Sequence, residues 1–366
     1  MTRSRLTTLT VLLLIVLGLK AQESTAPAQV TFAYPIGTNG QQSKDISNRF
    51  SFNVLYGVNG GVKSFELGGI GNQNHGDVNG FQLAGITNIT EGNSSGAIIS
   101  GIANVTTENA SGLHLSGIAN ITQGNASALQ LAGITNINGG GSKGLMLAGL
   151  ANVAANDMTG SQISFINSTH GQMNGFQLGF VNFANKLKGF QLGFVNVADS
   201  IDGASLGFIS YARNGYFALE ASNSEVMYAN VSYKMGSTSS LYNIYTMGYT
   251  RYNSKDVYSY GLGLGTLIPL HKRHSLAIEG ITNQMAYDDD WSKLNMLNKL
   301  NLTYQFHLSK RISLVGGPSL NFYITEVEVD GKYGTLDMPE TIWDHKGDQN
   351  MHYMWIGYNF GINISL

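Results

Sequence analysis

One phrase, written ten times between Phe65 and Ser210, constrains this 366-residue chain more than any other feature. FQLAGITN at Phe81–Asn88 returns as AIISGIAN, LHLSGIAN, LQLAGITN and LMLAGLAN, and later twice as FQLGFVN. The closing Asn falls at Asn72, Asn88, Asn104, Asn120, Asn136 and Asn152, then at Asn167, Asn182 and Asn196, before Ser210 ends the series. The spacing is sixteen residues, then fifteen, then fourteen. A repeat this short and regular fixes an all-β, repetitive architecture and carries no reaction chemistry of its own.

Within one copy, Leu83 and its equivalents Ile99, Leu115, Leu131, Leu147, Leu178 and Leu192 are always apolar, and so are Ile86, Ile102, Ile118, Ile134 and Leu150. The two positions differ in parity, so one flat strand sends them to opposite faces. Between them stands Gly85, repeated as Gly101, Gly117, Gly133 and Gly149, which permits a bend. With that bend both apolar positions are expected to face a single interior, each copy forming one solenoid rung of two short strands closed by polar turns such as Glu91–Ser95. In parallel rungs an identical residue stacks on itself, and the recurring Asn is expected to form an amide ladder that also caps the turn backbone. Ten rungs at about 4.8 Å make about 48 Å of ladder. No Pro falls between Pro35 and Pro269 to interrupt it.

One strand plus one turn per copy also suits a membrane barrel. In that alternative Phe81, Leu83, Gly85, Thr87 and Ile89 face lipid, Gln82, Ala84, Asn88 and Thr90 face a polar lumen, and the whole chain closes as one large β-barrel of about 18 strands. Ile86 and its equivalents then sit on the wrong side.

The phrase GFQLGFVN at Gly175–Asn182 and Gly189–Asn196 resembles the GxQLGxxN surface-repeat family of bacterial proteins first recognised in a leptospiral protein, over Phe65 to about Ser210. The resemblance implies an exported surface or outer-membrane protein and brings no established reaction with it.

After Ser210 strict alternation takes over. Leu300, Leu302, Tyr304, Phe306 and Leu308 alternate with Asn301, Thr303, Gln305 and His307, and Tyr258, Tyr260, Leu262 and Leu264 alternate with Ser259 and three glycines. The chain ends with His352, Met354, Ile356, Tyr358, Phe360, Ile362, Ile364 and Leu366 on one face. About eight such strands from Tyr216 onward, with tight turns at His271–Arg273 and Ser309–Lys310 and longer loops at Ala286–Lys293 and Glu326–Asn350, resemble a small antiparallel outer-membrane β-barrel. A soluble, lipocalin-like barrel is the competing expectation.

Arg3 and Arg5 precede an apolar run, Val11–Leu19, that Lys20-Ala21-Gln22 breaks, the order of a secretory signal peptide. The expected organisation is therefore a signal peptide at 1–21, a polar lead at 22–49, the repeat block at 50–213 and the barrel at 214–366. With 46 Gly and only 12% charged residues the composition suits both β-solenoids and membrane barrels. A net charge of -2 gives no electrostatic footprint for nucleic acid, and the absence of Cys excludes disulfides, thiolate catalysis and lipid attachment at Cys.

No constellation in the sequence makes an enzyme. Gly203-Ala204-Ser205-Leu206-Gly207 matches the nucleophile-elbow pattern by letter, but Ser205 stands at the repeat position of Gln177 and Gln191 and no helix follows. Gly261, Gly263 and Gly265 lack the helix of a dinucleotide site. His271 and His274 lie in a basic turn, and Asp288–Asp290 lack the frame of a calcium loop. Asn-x-Ser/Thr triplets such as Asn88-Ile89-Thr90 look like glycosylation acceptors, although the same Asn already serves the ladder. The expectation is a non-enzymatic protein of a Gram-negative outer membrane or cell surface. It takes no cofactor or metal, its partners are membrane lipid and an unidentified surface or host ligand, and a small barrel anchors it. The large-barrel alternative makes it a porin-like diffusion channel.

Overall fold

The structure, a computed structural model, describes residues 24–238 and 240–366. The expected signal peptide at 1–21 lies outside the described residues. Among the described residues the structure is all-β apart from one 3-10 turn at Gly40–Asp45, with a parallel β-solenoid of about ten turns followed by a closed eight-strand antiparallel barrel. It divides into two compact units after Asn156, each described by itself below.

In the first unit the turns from Val78 to Ala154 pair with one another in parallel and in register. Val78–Ala84 lies against Ser94–Ser100 with Leu83 opposite Ile99, and Thr87–Thr90 lies against Ala103–Thr106 with Asn88 opposite Asn104. Parallel pairing at one copy per turn is what a solenoid requires and what an antiparallel barrel forbids, so the ring of about 18 strands is not the fold. The stretch expected to be a polar lead also belongs to the ladder, because Ser24–Ala33 pairs in parallel with Ile46–Asn59, from Ser24 opposite Ile46 onward.

The bend at Gly85 puts Leu83 and Ile86 on the same side, but that side is the outside, contrary to the interior expected for them. Leu83, Ile86, Ile102, Ile118, Ile134, Leu147 and Leu150 are all exposed. The interior is claimed instead by a column of Gln82, Ile98, His114, Gln130 and Met146 and by the ladder of Asn, all buried. Two facing strands of seven and four residues leave room for little more than these columns. The Asn amides must point inward to reach the carbonyls of the next turn, which leaves the alternate positions outside.

The corner glycines are required by space. A Cβ on Gly101 would come within 2.1 Å of the Gly85 carbonyl oxygen and one on Gly117 within 2.0 Å of that of Gly101. Left-handed backbone occurs at a different glycine of the turn, φ being 110° at Gly80, 113° at Gly96 and 92° at Gly112.

The second unit begins with the remaining solenoid turns, where Ile166–Leu178 pairs in parallel with Val181–Leu192. When the copy shortens, Phe165, Phe180, Phe194 and Phe208 take the corner, stacked at 5.0 Å from each ring to the next. Stacked aromatic pairs of this kind contribute about 0.5–1.5 kcal/mol each beyond area burial.

The barrel strands run Tyr216–Ser224, Ala229–Thr238, Leu241–Tyr252, Lys255–His271, His274–Tyr287, Asn295–His307, Ile312–Thr325 and Met351–Ser365. Each pairs antiparallel with the next, and the last closes on the first through Ala218 opposite Ser365 and Ser224 opposite Asn359. The alternation resolves into an apolar outside and a polar inside: Leu302 is 44% exposed while Thr303 is 2% exposed. A soluble barrel has the reverse arrangement. Asn253 and Ser254, at φ 50° and 64°, make the tight turn that joins Leu241–Tyr252 to Lys255–His271.

Candidate functional site: amide ladders and a filled barrel

Asn53 starts a chain of side-chain amides. Its Nδ2 donates to Oδ1 of Asn72 at 2.9 Å, and the same bond, at the same length, links Asn72 to Asn88, Asn88 to Asn104, Asn104 to Asn120, Asn120 to Asn136 and Asn136 to Asn152. The second proton of each Nδ2 goes to a backbone carbonyl beside the next corner: Asn72 to Leu83, Asn88 to Ile99, Asn104 to Leu115, Asn120 to Leu131 and Asn136 to Leu147. Within the second unit Asn167 donates to Asn182 at 2.9 Å, Asn182 to Asn196 at 2.8 Å, and Asn196 to the Ser210 hydroxyl at 3.4 Å. Ser210 thus ends the ladder with a hydroxyl acceptor in place of an amide. These asparagines are buried, which removes them as glycosylation acceptors in the folded chain.

Two further columns run beside the ladder, of which the first escaped the sequence reading and the second was seen there only as the shared position of Gln177, Gln191 and Ser205. On the polar rim, Asp77, Asn93, Asn109 and Asn125 recur every sixteen residues, and each side-chain Oδ1 accepts the backbone N–H of the next turn, at Asn93, Asn109, Asn125 and Gly141, over 2.7–3.2 Å. In the core, Gln191 donates to Gln177 and Gln177 to Gln162, both at 2.7 Å. Ser205 sits opposite Gln191 in register and is buried, as its place in the repeat dictates. In the first unit the equivalent column opens at Glu66, whose buried carboxylate accepts from four amides: Asn59 at 2.6 Å, Asn53 at 3.0 Å, and Asn74 and Gln82 at 2.8 Å each. His114, buried in the same column, leaves its Nε2 without a partner.

The barrel lumen is filled. Lys234 Nζ lies 2.5 Å from carboxylate oxygens of both Glu220 and Glu279, and Tyr242 donates its hydroxyl to Glu279 at 2.7 Å. A polar cavity of about 20 Å³, lined by Ser232, Thr246, Asn283, Lys299 and Asn301 among others, has room for a single water. Nearer the long loops an apolar cluster of Val257, Met285, Leu297, Tyr323 and Trp355 joins Val226, Met227 and Leu336. Leu336 comes from the Glu326–Asn350 loop, which folds inward: Tyr323 donates to Asn295 at 2.6 Å and accepts from the Thr335 backbone N–H at 3.0 Å.

The remaining titratable candidates lie apart. Asp288 pairs with Lys255 at 2.7 Å, which raises the lysine's affinity for its proton, and Asp290 is held below the usual carboxylate range by the Ser292 hydroxyl and N–H. The His271 and His274 rings stack 6.4 Å apart across their turn. Among the described residues no group of three or more His, Asp or Glu side chains converges on a metal position. Against protein-family models, curated proteins and solved structures alike, the chain finds no match.

Proposed function

We propose that this is a non-enzymatic outer-membrane protein of the surface-repeat type, in which an eight-strand barrel anchors a β-solenoid that serves a structural or adhesive role at the surface of a Gram-negative cell. The observation that carries this reading is the inverted barrel, with an apolar belt outside and a lumen filled with ion pairs, amides and an aromatic plug. The strands have 9 to 17 residues, enough for the 9 to 11 or so that a tilted transmembrane strand needs. A lumen this full suits an anchor rather than a conduit. The charged N-terminus followed by Val11–Leu19 supports export, and the GxQLGxxN phrase supports the family reading.

Full-length protein refolded into phosphatidylcholine vesicles tests it in two ways. The chain is expected to stay with the vesicles through alkaline carbonate washing and to give no conductance steps in planar bilayers. Release as a soluble monomer would remove the anchor, and stable conductance steps would replace it with a channel.

A further inference from the structure

Each solenoid turn is divided in two. The half made of the corner and the residues beside it, Phe81–Thr90 and its equivalents, contains no Lys, Arg or Asp in any of the ten copies, and its two charged or basic side chains, Glu66 and His114, are buried inside. The rim half carries Asp77, Glu91, Glu108, Lys143, Lys186 and Asp199. The corner residues Ile70, Ile86, Ile102, Ile118, Ile134 and Leu150 are 42–51% exposed, and the four phenylalanines that replace them are 44–50% exposed. Water-soluble monomers rarely leave continuous apolar columns of this extent uncovered.

We infer that the corner half is immersed in the hydrocarbon of the membrane, with the charged rim kept in the headgroup and aqueous zone, so that lipid acyl chains cover the apolar columns. The inference rests on the anchor reading and extends it from the barrel to the solenoid. Its support comes from the second unit, where the last corner meets the outside of the barrel. Phe208 packs edge-on against Tyr245 with ring centres 5.6 Å apart, and Asn243 donates to the Gly207 carbonyl at 2.8 Å. Asn243 and Tyr245 alternate along the strand with the inward Ile244, in the same outward row as Met247, which is 72% exposed. The phenylalanine column therefore ends on the wall that faces lipid if the barrel spans a membrane.

Two further features fit hydrocarbon surroundings. Corner N–H groups are paired along the solenoid, Ile86 to the Ile70 carbonyl and Ile102 to that of Ile86, both at 2.8 Å, as a lipid environment demands of any backbone. A groove of about 770 Å³ beside Phe208 is lined by Tyr245, Tyr260, Leu262 and Leu264, and Gly280 leaves its floor bare. Its apolar lining and open side suit an acyl chain.

The chain has no Cys, so single reporters are placed cleanly. Ile102→Cys and Phe180→Cys mark the corner in the two units, Glu108→Cys marks the rim, and Leu302→Cys and Ile356→Cys mark the barrel wall. Each full-length variant, labelled with bimane and refolded into phosphatidylcholine vesicles, is compared with and without lipids brominated on the acyl chain. Quenching at both corner sites equal to that at the wall, with none at the rim, is expected. Wall quenching with corner sites no more quenched than the rim overturns the inference and leaves the anchor standing. No quenching at either wall site removes the anchor reading and this one together. Disulfide cross-linking between unlabelled Ile102→Cys copies in place of lipid quenching assigns the columns to a second copy and also overturns it.

Discussion

The Asn104 side-chain amide reaches the Asn120 carbonyl oxygen at 2.9 Å, and Asn120 passes the same bond at the same length to Asn136. In Asn120→Ala four bonds disappear together, because those from Asn120 to the Leu131 carbonyl and, at 3.2 Å, to the His114 carbonyl go as well. The Asn104 amide and the Asn136 carbonyl oxygen each lose a partner inside the core. The expected loss is about 1–3 kcal/mol in a denaturant titration of the full chain. Nearest-neighbour coupling in solenoids confines the damage, so hydrogen exchange should accelerate around turns 104–136 and stay near wild type in the barrel. An unchanged titration midpoint would discredit the ladder as a source of stability.

Gly117→Ala places a Cβ 2.0 Å from the Gly101 carbonyl oxygen, a backbone atom that cannot move without opening the pairing beneath it. Overpacking of this kind costs on the order of 1–3 kcal/mol. At Gly280, where a Cβ meets nothing within 4 Å, Ala should stay within about 0.5 kcal/mol of wild type. Equal midpoints for the two variants would contradict the close approach.

Removing Lys234 leaves Glu220 and Glu279 facing one another inside the barrel. Lys234→Met is expected to cost about 3–5 kcal/mol, and adding Glu220→Gln and Glu279→Gln should recover part of it, because the neutral amides no longer repel. Urea unfolding followed by the fluorescence of the buried Trp355 checks both. A triple variant less stable than Lys234→Met would reject the repulsion.

On the rim, the His75 ring nitrogen lies 2.8 Å from Glu91 and holds its carboxyl below the ordinary carboxylate range, with a second bond from Gln73. A depressed carboxylate contributes stability that is present above its unfolded value of about 4.5 and is lost as pH falls through the folded one. The pair is solvent-exposed, so the effect on melting should be slight. The Glu91 titration itself, followed by carboxyl NMR in micelles, should move upward in His75→Ala. No movement would assign the depression to another cause.

The spacing of identical residues pointed to a parallel ladder without excluding a large barrel, and what favoured the ladder was that Ile86 and its equivalents break the parity of a single strand. The barrel was equally open to reading, since Leu300 to His307 alternate without a break. The side on which Leu83 and Ile86 fall was not. Burial of apolar residues is the normal rule, and here polar amides take the inside because backbone carbonyls at the corner need donors. The facing of Gln82, Asn88 and Thr90 matches the large-barrel alternative, whereas the pairing matches the solenoid. Only Ile86, thrown outward at the corner, breaks the parity. The Asp77 to Asn125 column was present in the sequence but lay in turns that look irregular copy by copy. Inward folding of the Glu326–Asn350 loop has no periodic signal, because it depends on Leu336 and Thr335 meeting Tyr323 across the lumen.

In-register pairing makes each turn a unit of currency between its neighbours. Excising Ile89–Asn104 would bring Asn88 directly under Asn120 and Leu83 under Leu115, with every donor still opposite its acceptor. The reach of the solenoid is thus adjustable by whole copies, about 4.8 Å at a time, through duplication or loss of sixteen codon triplets, without redesign of the barrel or of the surviving turns.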